Sequence, residues 1–115
     1  MAEERDVKAG PTDAGAADLE GWRKRIDGID DQLMRLLNSR SACAVEVGRI
    51  KRAHGLPIYA PEREAWILER VMRENPGPLE PLAVRRVFER IIDESRRRER
   101  VSADAEGQSD EPPSE

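Results

Sequence analysis

Arg40 and Lys51 stand eleven residues apart. On an α-helix that spacing leaves two side chains within about 20° of azimuth and about 16 Å of height. Two long cations leaning toward each other could grip a molecule with two anionic groups, Arg offering a planar fork and Lys a point charge. Arg23 lies on the same broad face, a further seventeen residues back, which is about 25 Å along a helix. It is too distant to share the site within one chain, yet could reach the symmetry-related site of an antiparallel dimer. Farther on, Arg63 and Glu64 add a cation and a hydrogen-bonding carboxylate. Ser95 and Glu99, four residues apart, point the same way on a helix.

A carboxyl at position 99 on an otherwise apolar stripe is partly desolvated, which favours its neutral, donating form, while neighbouring cations pull the other way. The sequence has no nucleophile–base pair and no phosphate-cradling glycine loop. Cys43 and His54 are the only residues of their kinds, so neither an intramolecular disulfide nor a zinc site is expected. The assembled groups suit binding and electrostatic stabilisation: any catalysis should hold a small dianionic substrate in shape without covalent attack.

The elements that must position these residues are helical. Heptad columns Leu19, Ile26, Leu33, Arg40, Val47 and Trp22, Ile29, Leu36, Cys43, Ile50 form a wide apolar face. They predict one helix from Asp18 to about Ala53, with Gly55 as its C-cap. Gly28 and Gly48 inside it cost roughly 1 kcal/mol each against Ala, which a close helix contact at one or both would offset. Such a helix, about 50 Å long, overshoots a domain whose radius of gyration is about 13 Å. The remaining short helices cannot cover its apolar face, so a second copy of the chain is expected to do so. Pro61 opens a second helix to about Glu74, with apolar positions Ala65, Ile67, Leu68, Val71 and Met72. Asn75-Pro76-Gly77-Pro78 stops it, and Pro81 opens a third with Val84, Val87, Phe88, Ile91 and Ile92.

The expectation is therefore an all-α fold of three helices (long, short and medium) in an intertwined helical homodimer. Period-2 alternation is absent, and charged residues reach 38%. Residues 1–17 read as a disordered leader, 18–101 as the helical domain and 102–115 as a disordered acidic tail. The net charge of -4 is uneven: residues 1–18 carry five acids and two bases, and residues 102–115 five acids and no base, leaving +4 on residues 19–101. A basic core with few aromatics fits a small anion and not nucleic acid. No signal peptide and no run of about 18 apolar residues is present, so no membrane partner is expected and the cytoplasm is the expected location.

The runs W-R-K-R-I-D-G-I-D-D-Q-L-M-R-L-L-N-S-R, A-V-E-V-G-R-I-K, P-E-R-E and I-I-D-E-S, in this order and spacing, resemble the all-helical chorismate mutase family over residues 19 to about 101. The resemblance implies an intertwined dimer with two identical sites, converting chorismate to prephenate by a Claisen rearrangement without any cofactor. It further implies that Arg40 and Arg63 bind substrate carboxylates, joined by Arg23 of the partner chain. Lys51 would bind a carboxylate and the ether oxygen, Glu64 the ring hydroxyl, and Ser95 would position a carboxylate. Glu99 would be the second donor to the ether oxygen. Position 99 is Gln in the best-known bacterial members and Glu in some others; a Glu donates only when protonated, so activity should fall as pH rises. Ala60 stands where several members have Asp, removing a side-chain contact and an N-cap, though its backbone N–H remains available to the ligand.

Two relatives of the same scaffold are the alternatives, an isochorismate pyruvate lyase and a 4-amino-4-deoxychorismate mutase. A non-catalytic helical dimer is the alternative from another class, and some small members gain activity only when a partner enzyme docks. Among residues outside the site, Cys43 reads as a small core residue, His54 as an exposed helix end, and Asp30 as an ion-pair or buried polar group. Trp22 and Trp66 read as packing residues, and Arg96, Arg97 and Arg98 as a solvated helix end.

Overall fold

The computed structural model describes the backbone of residues 13–110 and the side chains of residues 15–105. Three helices follow one another: α1 (Asp13–His54), α2 (Pro61–Glu74) and α3 (Pro81–Asp110). No strand occurs among the described residues. The chain divides into two units, Met1–Asn38 and Ser39–Glu115.

Both ends of the helical region extend beyond the sequence expectation. Helix α1 starts at Asp13, five residues before Asp18, because Ala14, Ala16 and Ala17 are strong helix formers that carry no periodic signal. Helix α3 runs past Val101 to Asp110. Ser102 and Ala103 are buried, and the Ser102 hydroxyl donates to the Val45 carbonyl oxygen of α1 at 2.9 Å. The stripe of Ile92, Ser95 and Glu99 therefore continues through 102 and 103, in residues too small and polar to register as hydrophobic periodicity. Residues 1–12 and 111–115, the remainder of the expected leader and tail, lie outside the described residues.

In the first unit the apolar columns of α1 are largely uncovered: Leu19, Ile26, Ile29, Leu33 and Leu36 are 48–65% exposed. Trp22 is half-buried and carries the Arg25 guanidinium 5.2 Å from its ring centre. Asp30, expected as an ion-pair or buried polar group, is exposed. In the second unit the core is small, with Ala44, Ile92 and Ala103 each 6% exposed. Ile67, Leu68, Val71 and Met72 of α2 and Val84, Phe88 and Ile91 of α3 are half-buried around it, whereas Ala65 and Val87 face outward. Cys43, expected in the core, is exposed as well.

The end of α1 and the turn between α2 and α3 follow the predicted chemistry. Gly55, at φ 67°, reverses the chain in the left-handed region, and the Leu56 and Gly55 amides donate to the Lys51 and Arg52 carbonyls at 2.8 and 3.3 Å. This pair of bonds satisfies carbonyls that the last turn of α1 leaves open. His54 is the exposed final residue of α1. Between α2 and α3, the Asn75 side-chain amide donates to the Leu79 carbonyl at 2.7 Å and its oxygen accepts from the Gly77 amide at 3.3 Å. Gly77, at φ 80°, supplies the turn.

Candidate active site

The second unit encloses a cavity of about 400 Å³ between the last four turns of α1, the 55–60 loop, the start of α2 and the middle of α3. Its walls include Val47, Ile58, Ile67 and Ile92, which provide the apolar surface, and a set of charged groups that converge from all three helices. Of the eight residues expected at a site, seven line it: Arg40, Lys51, Ala60, Arg63, Glu64, Ser95 and Glu99. Arg23 belongs to the first unit, where it is exposed.

The polar groups are tied to one another. Arg40 donates to the Ser95 hydroxyl, and Lys51 Nζ donates to Glu99 Oε1 and to the Ile58 carbonyl oxygen, both at 2.8 Å. The Lys51 and Glu99 side chains are only 17% and 15% exposed, so their pairing is weakly screened. An ammonium has three donors, and two are engaged here, which leaves one for a bound molecule. Arg63 is exposed and rests on the face of Trp66, 4.7 Å from the ring centre, with Arg70 at 5.4 Å from the same ring. Trp66 is 47% exposed, with both cations against its ring. Ala60 precedes α2 with no side-chain cap, and its carbonyl accepts from the Glu64 amide at 3.1 Å.

Arg96 is the charged cavity residue that the sequence reading missed. It lines the cavity, whereas Arg97 and Arg98 are exposed, within a helix that continues to Asp110. Its Nε and Nη2 donate to Glu64 Oε2 and Oε1 at 3.0 and 2.9 Å, a two-pronged pairing across α2 and α3. Asp93 Oδ1 lies 3.5 Å from Nη2, and the Tyr59 ring centre is 5.2 Å from the guanidinium carbon. The hydrogen bonds to Glu64 raise its affinity for the proton, against a smaller opposing effect of burial. The available signal was register: position 96 is four residues after Ile92 and three before Glu99, on the inner edge of the α3 stripe. A run of three arginines hid it.

Cys43 also faces this cavity, which accounts for its exposure. Among the described residues there is no cluster of His, Cys, Asp and Glu that could hold a metal ion, and no helix is long and apolar enough to cross a membrane.

The chorismate mutase type II family profile matches residues 22–100, most of the chain and all of the cavity walls. The chain belongs to the type II chorismate mutase family. Its fold resembles that of the chorismate mutase of Thermus thermophilus (form II), with a TM-score of 0.70 and 34% identity, covering 71% of this chain and 93% of that one. It is 39% identical over 82 residues to the bifunctional chorismate mutase/prephenate dehydratase of Stutzerimonas stutzeri, 67% of this chain and 22% of that protein. It is 41% identical over 51 residues to the chorismate mutase of Methanocaldococcus jannaschii, 44% of this chain and 52% of that one. The chain spans less than a quarter of the length of the bifunctional relatives it matches.

Proposed function

We propose that the protein is a cytoplasmic, homodimeric chorismate mutase that rearranges chorismate to prephenate by electrostatic stabilisation and conformational restraint. The observation that carries this reading is the charge of the cavity. Four cations (Arg40, Lys51, Arg63 and Arg96) face two acidic residues, Glu64 and Glu99, an excess of at least two positive charges that suits a dianion. Arg40 and Arg63 bind the two carboxylates of the substrate. The Ser95 hydroxyl, already accepting from Arg40, keeps its own proton to donate to one of them.

As the ether C–O bond breaks, negative charge grows on its oxygen. Lys51 offers its third N–H to that oxygen, and Glu99, when protonated, offers a second donor. Both are held in place before the reaction, so little reorganisation is required. Glu64 receives the ring hydroxyl, and Ala60, which lines the same cavity, offers its backbone N–H to the ligand. The apolar walls favour a folded conformer in which the two ends of the substrate meet.

The uncovered α1 face supports a second copy of the chain as its cover, and Arg23 of that copy would complete the carboxylate site. Activation by a partner enzyme, a further proposal for such a small member, is tested by adding candidates to the assay. The deciding experiment is prephenate formation by the wild type and by Arg40→Ala, with size checked by light scattering and with isochorismate and 4-amino-4-deoxychorismate assayed alongside. Loss of activity in a variant that still folds as a dimer is expected. Full activity of that variant, or faster turnover of another substrate with no prephenate, would overturn the assignment.

A further inference from the structure

We infer that Arg96 makes the ring-substituent end of the cavity selective for a neutral hydroxyl over an ammonium group, by neutralising Glu64; this rests on the reading of the cavity as a chorismate site. An unpaired Glu64 would be a bare anion, drawing an ammonium more strongly than a hydroxyl. With Arg96 donating to both carboxylate oxygens at 3.0 and 2.9 Å, the local charge is cancelled while the remaining lone pairs of Glu64 still accept a hydrogen bond.

The pairing is built in and not incidental. Arg96 is supported from three segments: Glu64 on α2, Asp93 one turn back on α3, and the Tyr59 ring in the loop. The Arg96 and Glu64 side chains are 28% and 21% exposed, whereas Asp93, at 55%, is largely screened by water. An ammonium brought to Glu64 would also meet the like charge of Arg96. A unit charge at about 6 Å with an effective dielectric constant of about 40 changes an equilibrium about tenfold.

The test is the ratio of kcat/KM for 4-amino-4-deoxychorismate to that for chorismate, measured near pH 6.5 in the wild type and in Arg96→Met, Arg96→Gln and Arg96→Lys. Both uncharged variants should raise the ratio about tenfold, and Arg96→Lys, which keeps the charge, should leave it within about threefold of wild type. Circular dichroism identifies any variant that has not folded, and the two uncharged substitutions make the result independent of one side chain. An unchanged ratio in folded uncharged variants, or an equal rise in Arg96→Lys, overturns the inference. A wild type that turns over neither compound defeats the mutase reading instead; the same ratio taken from dissociation constants then decides the role of Arg96.

Discussion

The backbone of α3 at Glu99 crosses α1 so closely at Gly48 that a Cβ there would lie 2.5 Å from the Glu99 carbonyl oxygen and 2.9 Å from its Cα. The obstacle is backbone, so no side-chain rotation relieves it. One turn away, Lys51 and Glu99 meet at 2.8 Å; the missing side chain at 48 is what lets the helix carrying Glu99 come within reach of Lys51. Gly48→Ala should therefore displace α3, with a loss of about 1–3 kcal/mol from overpacking, partly offset by about 1 kcal/mol of helix propensity. Activity should fall more than stability does. Urea titration together with kcat/KM checks both, and Gly28→Ala, where no atom lies within 4 Å of the added carbon, is the control that should be neutral or stabilising.

Lys51 carries the charge nearest to the bond being broken in the proposed reaction. Lys51→Met keeps the aliphatic stem and removes the donor, so kcat should drop by about 10²–10³. The fold should persist, because the ammonium bonds a loop carbonyl and a carboxylate at the cavity wall, not the core. A purified variant with an intact melting transition and wild-type kcat would remove Lys51 from the mechanism.

Glu99→Gln tests the second donor. Glu99 Oε1 accepts from Lys51 at 2.8 Å, and an ionised carboxylate has no proton to give the ether oxygen, whereas an amide accepts from Lys51 through its oxygen and donates through its NH2. The variant should therefore turn over at least as fast as the wild type at neutral pH. A folded variant with a much lower kcat would show that position 99 does not act as the donor.

What the sequence made legible was whatever rests on strong local chemistry. Pro61 and Pro81 open α2 and α3, and Gly55 closes α1 within one residue of its expected end. The stripe on α3 brought Ser95 and Glu99 into one cavity with Arg40 and Lys51. What stayed hidden depends on contacts between segments far apart in the chain. Arg96 is set apart from Arg97 chiefly by its pairing with Glu64, 32 positions away. Ser102 and Ala103 look like tail residues until Val45 and α1 are set against them. Cys43 reads as core from its heptad column, but the column faces a cavity there.

The proposed sharing of a site between two chains can be tested by complementation. Arg23→Ala and Arg40→Ala should each abolish most activity as homodimers. If Arg23 serves the partner's cavity, a heterodimer of the two variants has one site with both arginines and one with neither. Random pairing makes half of the dimers mixed, so co-refolding equal amounts should restore about a quarter of wild-type activity. If Arg23 served its own chain, every site in the mixture would lack one arginine and nothing would return. Leu36→Glu completes the test: Leu36 is 65% exposed in the single chain, so a charge there costs an isolated chain little. In the proposed dimer it would fall on the covered face, and light scattering should report monomers with activity lost alongside.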